Sequence, residues 1–307
     1  MRKWFLLLAA LLLMAVFYYR FTAPPDFEPP TEQADSGNEP NTPVKETGPP
    51  PKIELAIPVD AGQVHEGDLL LVNEQIAVPP NDADAEAVNL YQHKELLDGF
   101  GLLDNSIRLS PDLTHKFAAM IKDAAKVGVN HFLINSGYRN DKEQQVLYDQ
   151  LGPEIAALPG HSEHSLGLAL DIGSTKAQMK DAPEGVWLRE NAWKYGFIVR
   201  YPEDKTDITD VIDEPWHFRY VGLPHSAIMQ ENHWAFEEYL HELKVRQSIT
   251  AVVGNQTYVV YYFPVTSNTT LHVPTIGSYE LSGNNTDGVI VTVRKSSSMA
   301  DAELVPN

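Results

Sequence analysis

Cysteine is absent from all 307 residues. That excludes disulfides, thiolate metal sites, cysteine nucleophiles and lipid attachment through an N-terminal cysteine. Any metal here must be held by histidine and carboxylate side chains. Basic residues are scarce beside acidic ones, 23 against 42, and the formal net charge of −19 makes nucleic acid an unfavourable partner. Internal repeats are missing, and so are long hydrophobic runs, except for one at the N-terminus. The bulk composition is ordinary for a globular protein, 43% hydrophobic and 21% charged. The length allows one sizeable domain with appendages, or two modest domains.

The N-terminal exception carries Arg2 and Lys3 ahead of an uncharged, proline-free stretch from Trp4 to Tyr19, closed by Arg20. This fits a secretory signal or a short membrane anchor. Bulky Phe17, Tyr18 and Tyr19 occupy the exit where a small-x-small cleavage site would stand, which favours an uncleaved anchor over residues 1–22. Residues 23–63 read as a disordered linker. Its prolines, from Pro24 to the run Pro49–Pro51, alternate with Asp, Glu, Ser, Asn and Thr, and such a segment cannot bury enough apolar surface to offset its ordering entropy.

A main domain is expected over 64–246. Asp68–Val72 suggests a short strand or extended segment. Ser110 as N-cap, Pro111 at the first helical position and Gly128 as stop predict a helix between them, with Leu113, Phe117, Met120, Ile121 and Ala124 on one face. A strand is expected from His131 to Asn135, a helix from Asp141 to Leu151, a strand from Gly167 to Gly173, and a helix from Glu184 to Tyr195. Phe197–Arg200 and Glu214–Val221 read as strands, and one long amphipathic helix is expected from Pro224 to about Lys244. Residues 247–307 change character: short β-prone runs between Gly and Asn turns predict a small β-rich domain or extension.

Three motifs carry possible chemistry. In Ser162-Glu-His164-Ser-Leu-Gly167-Leu-Ala169-Leu-Asp171, an imidazole and a carboxylate are joined by a small-residue bend, a reasonable pair of zinc ligands. Glu214-Pro-Trp-His217 offers a third ligand, with Glu214 placed to act on water at an open coordination position. Ser136-Gly-Tyr-Arg139, followed by Gln144, supplies a guanidinium for a carboxylate or an oxyanion. Each residue has a plainer reading. His164 taken alone would more often be a structural histidine, Asp171 a turn cap, Glu214 a surface ion-pair partner and Arg139 a structural one. Jointly they provide ligands, base and anion binder in one hydrolase inventory. His161 could compete as a ligand, while His225, His233 and His241 read as surface or packing residues.

The set S-x-H-x-x-G-x-A-x-D, E-x-W-H and the upstream S-G-Y-R resembles the zinc D-Ala-D-Ala carboxypeptidases of VanY type, in the fold group that also holds the hedgehog signalling domain. The likeness extends to Glu190–Phe197, Arg200–Lys205 and Tyr220–Ser226 and covers most of residues 64–245. It implies an α+β fold, a central antiparallel sheet flanked by helices. It also implies one zinc ion held by His164, Asp171 and His217, with Glu214 as general base and Arg139 stabilising the scissile carbonyl. Tyr138, Gln144 and Ser162 would line the peptide cleft. Asn140 stands where many relatives carry serine. The expected activity is release of the terminal D-alanine from peptidoglycan pentapeptide precursors, contributing to glycopeptide resistance, from a bacterial membrane anchor with the catalytic domain outside. An L,D-carboxypeptidase or cross-bridge endopeptidase would use the same residues, and a non-catalytic zinc-stabilised wall-binding module is the reading from another class.

Overall fold

The computed structural model describes residues 54–80, 83–274 and 277–295. The expected anchor over 1–22 and the linker as far as residue 53 lie outside the described residues. The described residues belong to a single compact unit.

Thirteen strands occur among the described residues: β1 (Leu55–Val59), β2 (Val88–Asn89), β3 (Gly101–Leu102), β4 (Arg108–Leu109), β5 (Phe132–Ser136), β6 (Ala169–Ser174), β7 (Phe197–Val199), β8 (His217–Tyr220), β9 (Ser248–Val253), β10 (Gln256–Pro264), β11 (Thr269–Val273), β12 (Gly277–Gly283) and β13 (Gly288–Lys295). The longer helices are α1 (Pro111–Ala125), α2 (Asp141–Leu151), α3 (Pro183–Asn191), α4 (His225–Asn232) and α5 (Phe236–Arg246).

The central sheet has the order β3-β5-β6-β8-β7. It is antiparallel except where β3 joins β5 in parallel. Alternation along its strands sorts the residues onto two faces. Phe132 and Ile134 of β5, Leu170 and Ile172 of β6, and Phe218 of β8 enter the main core with α1 residues Leu113, Phe117, Met120 and Ile121. The opposite face receives Asp171 and His217, which stand directly across from each other in the β6–β8 register. Local signals set the helices as expected. Ser110 accepts a hydrogen bond from the Leu113 amide to cap α1, and Asn140 caps α2 reciprocally with Glu143.

Three expectations are corrected. Pro224 to Lys244 is not one helix: α4 ends at His233, whose φ of 55° places it in the left-handed region, and α5 restarts after an extended Ala235. The break lets both short helices lay apolar faces on the C-terminal sheet, where Ile228, Met229, Phe236, Tyr239 and Leu243 share a core with Val260, Tyr262 and Ile290. The second concerns residues 54–63, read as linker. Leu55–Val59 forms β1, antiparallel to β11, and buries Ile57 and Val59 among Leu271, Val273, Val289 and Val291. The apolar alternation at 55, 57 and 59 outweighs the flanking prolines, and the two strands satisfy each other's backbone. Asp68–Val72 is turn and irregular chain rather than strand. The C-terminal strands themselves form a four-stranded antiparallel sheet, β12-β13-β10-β9.

Candidate active site

Three segments converge on the polar face of the central sheet. β6 presents Asp171 and β8 presents His217. A 3-10 turn, Glu163–Leu166, ends at Gly167 with φ of 71° and folds His164 over the same face. A left-handed residue is needed there to reverse the chain into β6, which explains the glycine. One ligand-capable atom from each of His164, Asp171 and His217 lies within 4.8 Å of the others. Asp171 Oδ1 is 3.5 Å from His164 Nε2 and 3.3 Å from His217 Nδ1. Donor atoms bound tetrahedrally to a zinc ion at ordinary bond lengths stand about 3.3 Å apart. Asp171 Oδ1 is also buried without a hydrogen-bond partner. An unpaired buried carboxylate oxygen is expensive unless a cation meets it. The residues therefore fit a divalent metal.

The two histidines offer opposite nitrogens. His164 Nδ1 lies 2.7 Å from the carbonyl oxygen of Gly137, so it donates there and leaves Nε2 free. His217 turns Nδ1 toward Asp171, and its Nε2 faces Glu163 Oε2 at 3.4 Å. Burial and the nearby Arg139 charge lower the His164 pKa and keep its ring neutral. Burial alone would do the same to His217, but the adjacent Asp171 and Glu163 carboxylates carry it up to about 9. Asp171 is pushed upward by burial, yet the two histidines outweigh this and hold it well below the usual carboxylate range. The rise of His217 reflects the two carboxylates beside it, Asp171 and Glu163, and such a negative setting favours a cation.

Glu214 lies just ahead of β8, with its amide bonded to Tyr201 O and its carbonyl receiving the His217 amide. Pro215 keeps this approach out of a helix. Glu214 Oε2 is 3.6 Å from His217 Nδ1. Burial raises the Glu214 carboxyl above its ordinary range, with the His217 charge pulling the other way. Arg139 stands beside the other ligand oxygen, its Nη1 3.9 Å from Asp171 Oδ2. It is held by Nε donating to Gln144 Oε1 at 3.0 Å and by Nη1 donating to Ser136 Oγ.

The expected cleft residues sort differently. Gln144 uses its other end to donate to Ala157 O, so its amide is committed to orienting Arg139. Tyr138 is buried and packs against the Arg108 guanidinium, 4.9 Å from ring centre to carbon. Ser162 is buried at the entrance of the 3-10 turn. His161 is tied to Asn73 O and His225 lies between Tyr239 and Thr292, so neither joins the cluster. On the same face, Gly173 follows two residues after Asp171 and opens into a cleft of about 590 Å³ with Asn135, Met179, Pro215 and Trp216 in its lining. This is ample for a short peptide end.

Three buried residues near the cluster were not singled out from the sequence: Glu163, Arg200 and Arg219. Glu163 Oε1 accepts from Arg200 Nε at 2.9 Å and from Arg219 Nη1 at 2.8 Å. Arg200 also forks onto Glu237 of α5, and Arg219 donates to the carbonyls of Asp68 and Leu70. Burial would raise the Glu163 pKa, but the two guanidinium charges hold it well below the usual range. The only sequence signal was an acidic residue inside an otherwise apolar and small motif.

Comparison with known proteins agrees with this geometry. The family model VanY, described as D-alanyl-D-alanine carboxypeptidase, matches residues 106–223, which include Arg139, His164, Asp171, Glu214 and His217. A D-alanyl-D-alanine carboxypeptidase of Enterococcus faecium is 54% identical over 231 residues, 75% of this chain and 76% of the relative. One from Enterococcus faecalis is 34% identical over 213 residues, 64% of this chain and 74% of the relative. Among solved structures, the vancomycin resistance D,D-dipeptidase VanXYg in complex with a D-Ala-D-Ala phosphinate analog aligns with a TM-score of 0.68 and 30% identity, covering 79% of this chain and all of that one. The chain belongs to the VanY family of D-alanyl-D-alanine carboxypeptidases.

Proposed function

We propose that this protein is a zinc carboxypeptidase that hydrolyses the terminal D-Ala-D-Ala bond of peptidoglycan pentapeptides. The observation that carries the reading is the convergence of His164, Asp171 and His217 at zinc-ligand spacing, with Glu214 beside His217 and Arg139 beside Asp171. When bound by those three residues, zinc acidifies water and polarises the scissile carbonyl. The remaining steps belong to this chain's own side chains. Glu214, with its carboxyl pKa raised by burial, takes a proton from the attacking water and delivers it to the departing amine of D-alanine. Arg139, fixed by Gln144 and Ser136, stabilises the negative oxygen that develops on the former carbonyl. The cleft beside Trp216 receives the peptide.

Removing the last D-alanine destroys the peptide end that glycopeptide antibiotics bind, so the activity contributes to resistance. The solved vancomycin resistance D,D-dipeptidase of similar fold supports this reading. The N-terminal run behind Arg2 and Lys3 serves as a membrane anchor with the folded body outside the cell, where lipid-linked precursors are displayed. Among the described residues no helix is long and apolar enough to cross a membrane, and the run itself lies outside them.

The test is D-alanine release from defined pentapeptide and tetrapeptide, with Glu214→Gln alongside. Pentapeptide should be the preferred substrate. Glu214→Gln should lower kcat by about 10²–10⁴-fold while zinc stays near one per chain. Release from tetrapeptide alone would make the enzyme an L,D-carboxypeptidase. Undiminished turnover in the variant would remove Glu214 from the mechanism.

A further inference from the structure

Two buried atoms around the cluster face each other without any other partner, Glu163 Oε2 and His217 Nε2, 3.4 Å apart. Glu163 is 2% exposed and His217 6%, so neither atom is satisfied by bulk solvent. Burying a carboxylate is unfavourable, and burying two guanidinium groups to hold it compounds the cost. The arrangement has a directional result, however. Both arginines attach to Oε1, on the side away from the histidine, which leaves Oε2 as a fixed acceptor aimed at the imidazole. An acceptor at Nε2 requires the proton to sit there, and the Nδ1 lone pair then points at Asp171 and the metal position.

We infer that Glu163 is a positioning residue that fixes the tautomer and ring orientation of His217, with Arg200 and Arg219 serving to hold the carboxylate in place. This rests on the zinc site proposed above and adds to it a residue outside the ligand set. His164 obtains the same service from a backbone carbonyl, that of Gly137. His217 sits at the start of β8 with the 3-10 turn above it, and that turn supplies a side chain instead. Carboxylate partners of this kind strengthen the ligand's basicity and typically change metal affinity or activity by about 10–100-fold. The props of Glu163 reach beyond the site. Arg200 ties it to α5 through Glu237, and Arg219 ties it to the irregular segment after β1 through Asp68 and Leu70. The rigidity of one metal ligand is thereby drawn from two elements that contribute no ligand.

Glu163→Gln tests the assignment with little change of shape. The carbonyl can keep both arginines, but the amide nitrogen then faces His217 Nε2 as a donor and favours the wrong tautomer. Zinc affinity measured by competition with a coloured chelator should weaken by about 10–100-fold in folded Glu163→Gln. Glu163→Asp, which keeps the charge, should recover part of that loss. At saturating zinc, kcat of Glu163→Gln should stay below wild type with KM little changed. A purely structural role would lower the melting temperature of the metal-free protein but leave zinc affinity alone. Folded Glu163→Gln binding zinc within twofold of wild type would overturn the inference. Should the variant not fold, ring-nitrogen NMR of the wild-type holoprotein decides. A proton on His217 Nε2 is expected, and its absence would overturn the inference equally. A wild-type chain that takes up no zinc would instead bring down the site reading on which this inference rests.

Discussion

Acid should weaken the fold through His225, a residue outside the metal cluster. Its ring is buried between α5 and β13, with Nδ1 2.6 Å from the Tyr239 hydroxyl and Nε2 3.0 Å from Thr292 Oγ1. No carboxylate pairs with it, and burial alone takes its pKa from 6.5 down to about 3. The sign follows directly. Above pH 6.5 neither folded nor unfolded chain protonates this ring, and its contribution is complete. Below that value the unfolded chain binds a proton that the folded chain refuses, so stability falls as pH is lowered, until the folded-state value near 3 is reached. Each pH unit in this window is worth about 1.4 kcal/mol, so the loss between pH 6.5 and 4.5 is about 2–3 kcal/mol. Urea unfolding followed by tryptophan fluorescence, with chelator present so that metal release does not enter, measures it at four pH values. His225→Gln cannot take the proton. It should begin less stable near neutrality, but its stability should decline less steeply, so that the gap to wild type narrows by roughly that amount at pH 4.5. Parallel wild-type and variant curves across the window would refute the reasoning.

Other outcomes follow from the site. Arg139→Lys loses the fork that Gln144 and Ser136 hold, so kcat for D-alanine release should fall by about 10²–10³-fold while peptide KM changes less; an unchanged kcat would dismiss the oxyanion role. Gly137→Ala would place a Cβ 2.2 Å from the Arg108 carbonyl oxygen and displace the very carbonyl that orients His164. Its zinc affinity, by chelator competition, should therefore weaken, and wild-type affinity would show that the loop absorbs the methyl group without moving the ligand.

Much of this architecture was legible in the chain because its signals are local. Ser110-Pro111 announced α1, and the helix expected over Asp141–Leu151 is α2 with the same bounds. The residues now clustered at the site were visible because a motif records spacing, and alternation on β6 and β8 then brings Asp171 and His217 face to face. What escaped was non-local. Nothing near Leu55 says that its partner strand begins at Thr269, and a proline-rich setting argued for linker. The break at His233 depended on α4 and α5 fitting a sheet formed by residues far downstream. Glu163 passed unremarked because its two arginines are 37 and 56 positions away. Gln144 looked like a substrate contact, and only coordinates show both ends of its amide already engaged.

The pairing of β1 with β11 has a consequence for how the molecule comes into being. The side chain of Asn285 donates to the carbonyls of Leu71 and Ala77, the former 214 positions earlier, in the same region where β13 and β11 close over β1. Such closures are slow to nucleate, because a long loop must lose its entropy before any contact compensates. The segment that begins the folded body thus waits for the segment that ends it. Arg219, which grips Asp68 and Leu70, gains its final setting only then. Synthesis from the N-terminus leaves the nascent polypeptide without a finished catalytic pocket until β11 and β13 have emerged.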